Sequence, residues 1–236
     1  MAVSILVLGG DGIGPEVLEA GLAVAESVAQ RNGIALNITE DLLHGAAWDA
    51  HGTFCTGETL TKAKAADAIL VGAVGGPQWD NIRVEGGPEM QDGLMRLRFE
   101  LQSFAGLRPA RFWTPLADRT PFRPDLAEGA DIMVLREMCG GAMFGQPRGQ
   151  TEREGLRYGY DTAGYDEGEL RRIMLAGFEL ARQRKGQLVS ADKANVRESD
   201  KLWRQVADEV SGGYPDGKLS HFYADNCAYQ MARNPK

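Results

Sequence analysis

Short apolar runs bounded by glycine alternate with helix-period segments along most of this chain, and that alternation restricts the fold more than any single motif. Residues 3–8 (VSILVL) form an apolar run closed by Gly9-Gly10, the pattern of a strand buried among other elements. Pro15 follows where the first turn of a helix tolerates it, and Val17, Leu18, Leu22, Val24, Ala25 and Val28 recur at helical spacing. Ile34, Leu36 and Ile38 alternate as in a half-buried strand; residues 58–66 read as a helix, 68–72 as a buried strand and 72–77 as a glycine-proline loop. Residues 91–104 read as a helix with Leu94, Leu97, Leu101 and Phe104 on one side. The second half repeats the pattern: strand 132–135, helix 166–185, strand 187–190, helix 202–210, strand 219–223 and a helix starting near Asp225. Strands alternating with helices predict an α/β class with parallel sheet.

Residues 140–165 break the rule. They are rich in glycine and polar residues without a helical period, and read as an exposed arm or a hairpin. Glycine reaches 30 of 236 residues, about 13% against a typical ~7%, and with no collagen period the excess points to many tight loops.

Composition excludes some functions. A net charge of −7 argues against a main role on nucleic acid or an anionic membrane surface. No apolar run approaches the ~20 residues of a membrane helix, and the N-terminus lacks the basic leader of a signal peptide. Cys55, Cys139 and Cys227 are odd in number, far apart and without a C-x-x-C pair, which excludes a zinc ribbon and a disulfide framework and favours a reducing cytoplasm.

The loop Gly9-Gly10-Asp11-Gly12-Ile13-Gly14-Pro15 invites a dinucleotide fingerprint, G-x-G-x-x-G, but Pro15 stands where the third glycine belongs. No acidic residue sits convincingly at the end of the second strand, so the loop reads as a tight strand-to-helix turn. A P-loop and a G-x-S-x-G elbow are absent, and His44, His51 and His221 read as surface residues.

The positive signal is arginine. Arg96, Arg98, Arg108 and Arg136 fall beside predicted element ends in an otherwise acidic chain. Guanidinium forks bind carboxylates bidentately, so several on one pocket suit a substrate with two or three carboxylates. Surface salt bridging is the plainer reading for any one of them. Ser190–Val196 (SADKANV) follows a strand's carboxyl end, where parallel α/β sheets bind ligands. A lysine there can act as a base, whereas Asp192 or Asn195 as a helix cap is the bland alternative.

Taken in order, GDGIGPE (10–16), VGAVGGPQWD (71–80), LMRLR (94–98), LRP (107–109), VLRE with GGAMFGQPRG (134–149), SADKANV (190–196) and YADN (223–226) resemble the isocitrate/isopropylmalate dehydrogenase family. GGPQWD and Leu94-Met95 look most like its isopropylmalate branch. The resemblance implies a two-domain α/β/α sandwich with a β arm. Residues 1–103 are expected as the amino-terminal part of a cofactor-side domain. Residues 104–236 are expected as a second domain with a dimerisation arm at about 140–165. It implies metal- and NAD-dependent oxidation and decarboxylation of a 3-substituted malate, a step of leucine biosynthesis, by a cytoplasmic homodimer. The alternatives are a tartrate or D-malate type dehydrogenase, or an impaired homologue acting as a binding protein.

Residue by residue, the resemblance assigns Arg98, Arg108 and Arg136 to the malate carboxylates. Lys193 is assigned to the hydroxyl proton, and Leu94 and Met95 to the alkyl group. Asp225 becomes a ligand for Mg²⁺ or Mn²⁺ in the neighbouring subunit's site, and Ile13, Gly75 and Gln91 are placed beside NAD. Oxygen donors suit such hard cations. Two departures accompany it. Met143 stands where the family carries the tyrosine that protonates the enol, and a thioether has no proton to give. The family pattern also continues beyond Lys236, with two further metal aspartates and an adenosine loop.

Overall fold

The computed structural model describes residues 2–236, which divide into two compact units, one running to Ser103 and the other spanning Phe104–Lys236. The first contains β1 (Ala2–Gly10), α1 (Gly14–Arg31), β2 (Ala35–Asp41), α2 (Gly45–His51), α3 (Gly57–Ala65), β3 (Ala68–Ala73), α4 (Pro88–Gln91) and α5 (Gly93–Glu100). Its sheet has the order β2-β1-β3, all parallel. The unbroken apolar run of β1 is explained by burial on both faces. Leu6 and Leu8 enter one core with Leu43, Cys55, Leu60, Ala63 and Leu97, while Ile5 and Val7 enter another with Leu18. Burial pushes the Cys55 thiol up to about 11, so it is a packing residue and not a nucleophile.

The expected helix over 91–104 is shorter than the periodicity suggested. The Asp92 side chain accepts the backbone N–H groups of Leu94 and Met95 and starts α5, which ends at Glu100. Phe104 lies in the second unit and packs against that unit's core. α2 was not anticipated; its seven residues carry too short a pattern to show a period.

The second unit contains β4 (Ala105–Arg111), a 3-10 turn (Thr114–Arg119), α6 (Pro124–Ala127), β5 (Asp131–Glu137), a 3-10 turn (Gly141–Met143), β6 (Gly149–Arg153) and β7 (Leu156–Tyr160). It continues with α7 (Glu167–Arg182), β8 (Gln187–Asp192), α8 (Glu198–Ser211), β9 (Lys218–Tyr223) and α9 (Ala224–Arg233). β8 and β9 pair in parallel, while β4–β5 and β6–β7 are antiparallel ribbons. The irregular 140–165 segment thus holds an exposed hairpin, β6–β7. β4 escaped notice because Pro109 weakens a strand reading, yet it pairs with β5 over its full length.

α7 begins with a reciprocal capping box, Asp166 accepting from Glu169 N–H and the Glu169 carboxylate accepting from Asp166 N–H. Its apolar stripe, Leu170, Ile173, Met174 and Phe178, buries against Val206, Ala207 and Val210 of α8. No helix among the described residues is long and apolar enough to cross a membrane.

Candidate functional site

In the first unit the strand-to-helix turn after β1 is closed by its acid. Asp11 is buried, and its carboxylate accepts N–H groups from Gly45 (3.1 Å), Ala46 (2.7 Å) and Gly75 (2.8 Å). It thereby caps α2 and ties the loop after β3 to the loop after β1. Gly10, at φ +73°, runs so close to β3 that a Cβ would stand 2.1 Å from the Ala73 carbonyl oxygen. Sequence reasoning missed Asp11 because an aspartate between glycines reads as turn chemistry. β2 does end in an acid, Asp41, contrary to the sequence reading, but its carboxylate is held by Lys62 at 2.9 Å.

A cleft of about 410 Å³ opens nearby, lined by His44, Phe54, Gly75, Trp79, Gln91 and Asp92 among others. Two of the three residues assigned to the cofactor, Gly75 and Gln91, line it. Ile13 is exposed on the turn before α1. The Gln91 amide is engaged with the Val84 backbone, accepting its N–H at 3.1 Å and donating to its carbonyl. His44 is not a surface residue. It is buried, stacks on Phe54 at 4.8 Å and accepts the Gly93 N–H through Nδ1 at 3.3 Å. Its φ of +58° would have suited glycine, so the local sequence gave no sign of this placement. Leu94, assigned to the substrate's alkyl group, packs against this unit's core, and Met95 beside it is half-buried. Arg98 sits at the end of α5, where its carbonyl accepts from Ser103.

In the second unit Arg136 and Arg108 share a face. Arg136 is opposite Gly106 in the β4–β5 register, and Arg108 lies two residues further along β4. Side chains alternate along a strand, so the two guanidiniums project from the exposed side while Ala105 and Leu135 face the core. Diagonal neighbours of this kind stand about 7–8 Å apart at the backbone, within reach of one small polyanion. Arg136 Nη2 contacts the Met143 sulfur at 2.9 Å.

Lys193 and Asp225 meet at the carboxyl ends of β8 and β9, Lys193 Nζ donating to Asp225 Oδ1. The hydrogen bond from Lys193 is the main reason the Asp225 carboxyl is held below its ordinary value, aided by backbone N–H donors. Asp192 is not a helix cap. It is buried, takes Arg204 in a two-pronged pair at 3.0 and 2.8 Å, and accepts the Ala194 N–H. Asp200 accepts the Lys193 N–H at 2.8 Å. These two acids, of which the sequence reading takes Asp192 for a cap and misses Asp200, fix the backbone that carries Lys193. His221 is likewise no surface residue: Nε2 is 2.9 Å from Asp208 and Nδ1 faces Asp192 at 3.9 Å. Among the described residues no ion pair joins Asp225 to Arg108 or Arg136.

Among the described residues no three His, Cys, Asp or Glu side chains cluster as a metal site. Asp225 fits a hard cation as one ligand: it is exposed, an oxygen donor, and its lowered pKa keeps it ionised.

The chain is 48% identical over its whole length to a 3-isopropylmalate dehydrogenase of Xanthomonas euvesicatoria pv. vesicatoria and 46% identical to one of Pseudomonas fluorescens. It spans 66% and 65% of those proteins. Among solved structures, an isocitrate dehydrogenase from Methylococcus capsulatus shares the fold with a TM-score of 0.79 at 23% identity, over 99% of this chain and 64% of that one. A Thermus thermophilus protein matches with a TM-score of 0.75 at 26% identity, over 98% of this chain and 43% of that one. The family model described as isocitrate/isopropylmalate dehydrogenase matches residues 4–236, and the chain belongs to that family.

Proposed function

We propose that this protein oxidises and decarboxylates 3-isopropylmalate, with NAD and Mg²⁺ or Mn²⁺, as a homodimer. The observation that carries the reading is the Lys193–Asp225 pair at the strand ends, a proton-bearing amine joined to a hard oxygen donor. The names of the relatives at 46–48% identity support the substrate.

In this reading Arg108 and Arg136 take the malate carboxylates as charge-assisted forks, and Arg98 keeps the carboxylate role that the sequence resemblance gives it. Lys193 Nζ, in its neutral form, receives the proton of the C2 hydroxyl; Asp225 orients that amine and would offer an oxygen to the cation. The cation, when bound, would supply Lewis acidity, and NAD would supply the hydride acceptor. Because Lys193 and Asp225 are joined in one chain, a subunit that lends Asp225 to its neighbour's site lends Lys193 with it. The sequence resemblance assigns only Asp225 to the neighbouring subunit's site. Met143 has no acidic proton, so the enol must take its proton from elsewhere.

The test is NADH absorbance with 3-isopropylmalate, NAD⁺ and Mg²⁺. Substrate-dependent NADH formation abolished in Lys193→Ala supports the assignment. No NADH above the substrate-free blank overturns it.

A further inference from the structure

Glu137 is adjacent in sequence to Arg136 but points the other way. Its side chain is only 2% exposed, on the inner face of the β4–β5 ribbon. The carboxylate accepts the Cys139 N–H at 3.1 Å from both oxygens and the Gly140 N–H at 2.8 Å, and meets Arg172 of α7 at 3.2 Å. Arg172 in turn lies 4.9 Å over the Phe104 ring. A buried carboxylate with this set of donors is a fixed point, because its loss takes a charged acceptor from all of them at once.

The fixed point controls a turn. Chain leaving β5 is held at Cys139 and Gly140 by Glu137, at Gly141 by the Gly164 carbonyl (3.0 Å), and at Met143 by Arg148 on its carbonyl (2.9 Å). Gly141, at φ +66°, lets the turn pass against Tyr165, where a Cβ would stand 2.2 Å from the Tyr165 hydroxyl oxygen. The turn ends with the Met143 sulfur on the Arg136 guanidinium. One strand end therefore carries both the exposed arginine and the anchor of the residue that touches it.

We propose that Glu137 is a positioning residue: it sets the turn after β5 so that Met143 meets Arg136 and aims that guanidinium at a substrate carboxylate. The substrate part rests on the function proposed above; the positioning part does not.

The experiment uses protein labelled with ¹³C at the methionine ε-methyl groups, which gives eight reporters including Met143, Met138 and the core residue Met174. Spectra of the native protein, Glu137→Gln and Glu137→Asp are compared, with Met143→Leu to assign the signal, beside calorimetric titration of 3-isopropylmalate with Mg²⁺. Glu137→Gln should move Met143, with its loop neighbour Met138, leave Met174 in place, and weaken 3-isopropylmalate binding about tenfold. Glu137→Asp, which keeps the charge, should restore part of both. An unmoved Met143 signal overturns the proposal, as does a shift of Met174 with it, which would mark general loosening of the unit. If the native protein fails to bind 3-isopropylmalate while Glu137→Gln still moves Met143 and leaves Met174 in place, the functional reading and the substrate part fall and the positioning role is upheld.

Discussion

Lys193 Nζ donates to Asp225 Oδ1 within one chain, across the adjacent carboxyl ends of two parallel strands. The pair therefore travels as a unit, and which subunit's site it serves becomes an experimental question. A subunit lending both groups predicts a specific complementation pattern. Mixing inactive Arg136→Ala and Lys193→Ala chains should restore activity, because one site of each hybrid dimer receives intact groups from both chains. Random pairing sets the expected recovery at roughly a quarter of native activity. Lys193→Ala mixed with Asp225→Asn should restore none. Recovery in the second mixture would mean the two groups serve different sites.

The same pair sets an acid limit. Asp225 is held below the ordinary carboxylate value chiefly by the Lys193 hydrogen bond. A folded pKa below the unfolded one gives stability that is present above the unfolded value, ~3.9, and lost as pH falls through the folded value. Carboxyl ¹³C titration should place the Asp225 midpoint below ~3.9. Lys193→Met should raise that midpoint, and an unchanged midpoint would leave the pairing without support in solution.

Much of this fold is legible because its elements are long and periodic. The stripe of α7 and the apolar run of β1 announce themselves. What escapes is whatever depends on contacts distant in sequence. Asp11 meets Gly45, Ala46 and Gly75, and no local pattern records those partners. His44 is buried through a ring stack and a backbone conformation that sequence does not encode for histidine. Phe104 extends a helical period that the chain abandons at Glu100. Within the candidate site, Arg108, Arg136, Lys193 and Asp225 stood out by residue type and motif. Glu137 and Asp200 did not, and Asp192 reads as a cap, since an anchoring carboxylate looks like any surface acid until its donors are seen.

Asp192, its side chain 1% exposed, is paired with Arg204, whose side chain is 30% exposed. Removing one partner of such a pair strands a charge in a low-dielectric site. Arg204→Ala should destabilise the fold by about 1.5–3 kcal/mol, and Asp192→Asn with Arg204→Met by less than that single change. Chemical denaturation of the three proteins measures both. A single variant as stable as native would show the pair to be solvated.

Met143 touches Arg136 but carries no exchangeable proton. Met143→Tyr should raise kcat, within the ~10²–10⁴-fold range of general acid catalysis, if enol protonation limits turnover. Single-turnover NADH formation should be the same in both proteins, placing the gain after hydride transfer. Equal kcat values would show that water or another residue already delivers the proton.

The most direct test of the account is the affinity of the arginine face for its substrate. Calorimetric titration of 3-isopropylmalate with Mg²⁺, native protein against Arg136→Ala, isolates one charge-assisted pair. The account predicts a loss of about 1.5–3 kcal/mol, roughly 10- to 150-fold in Kd. Equal affinity in the two proteins would contradict it.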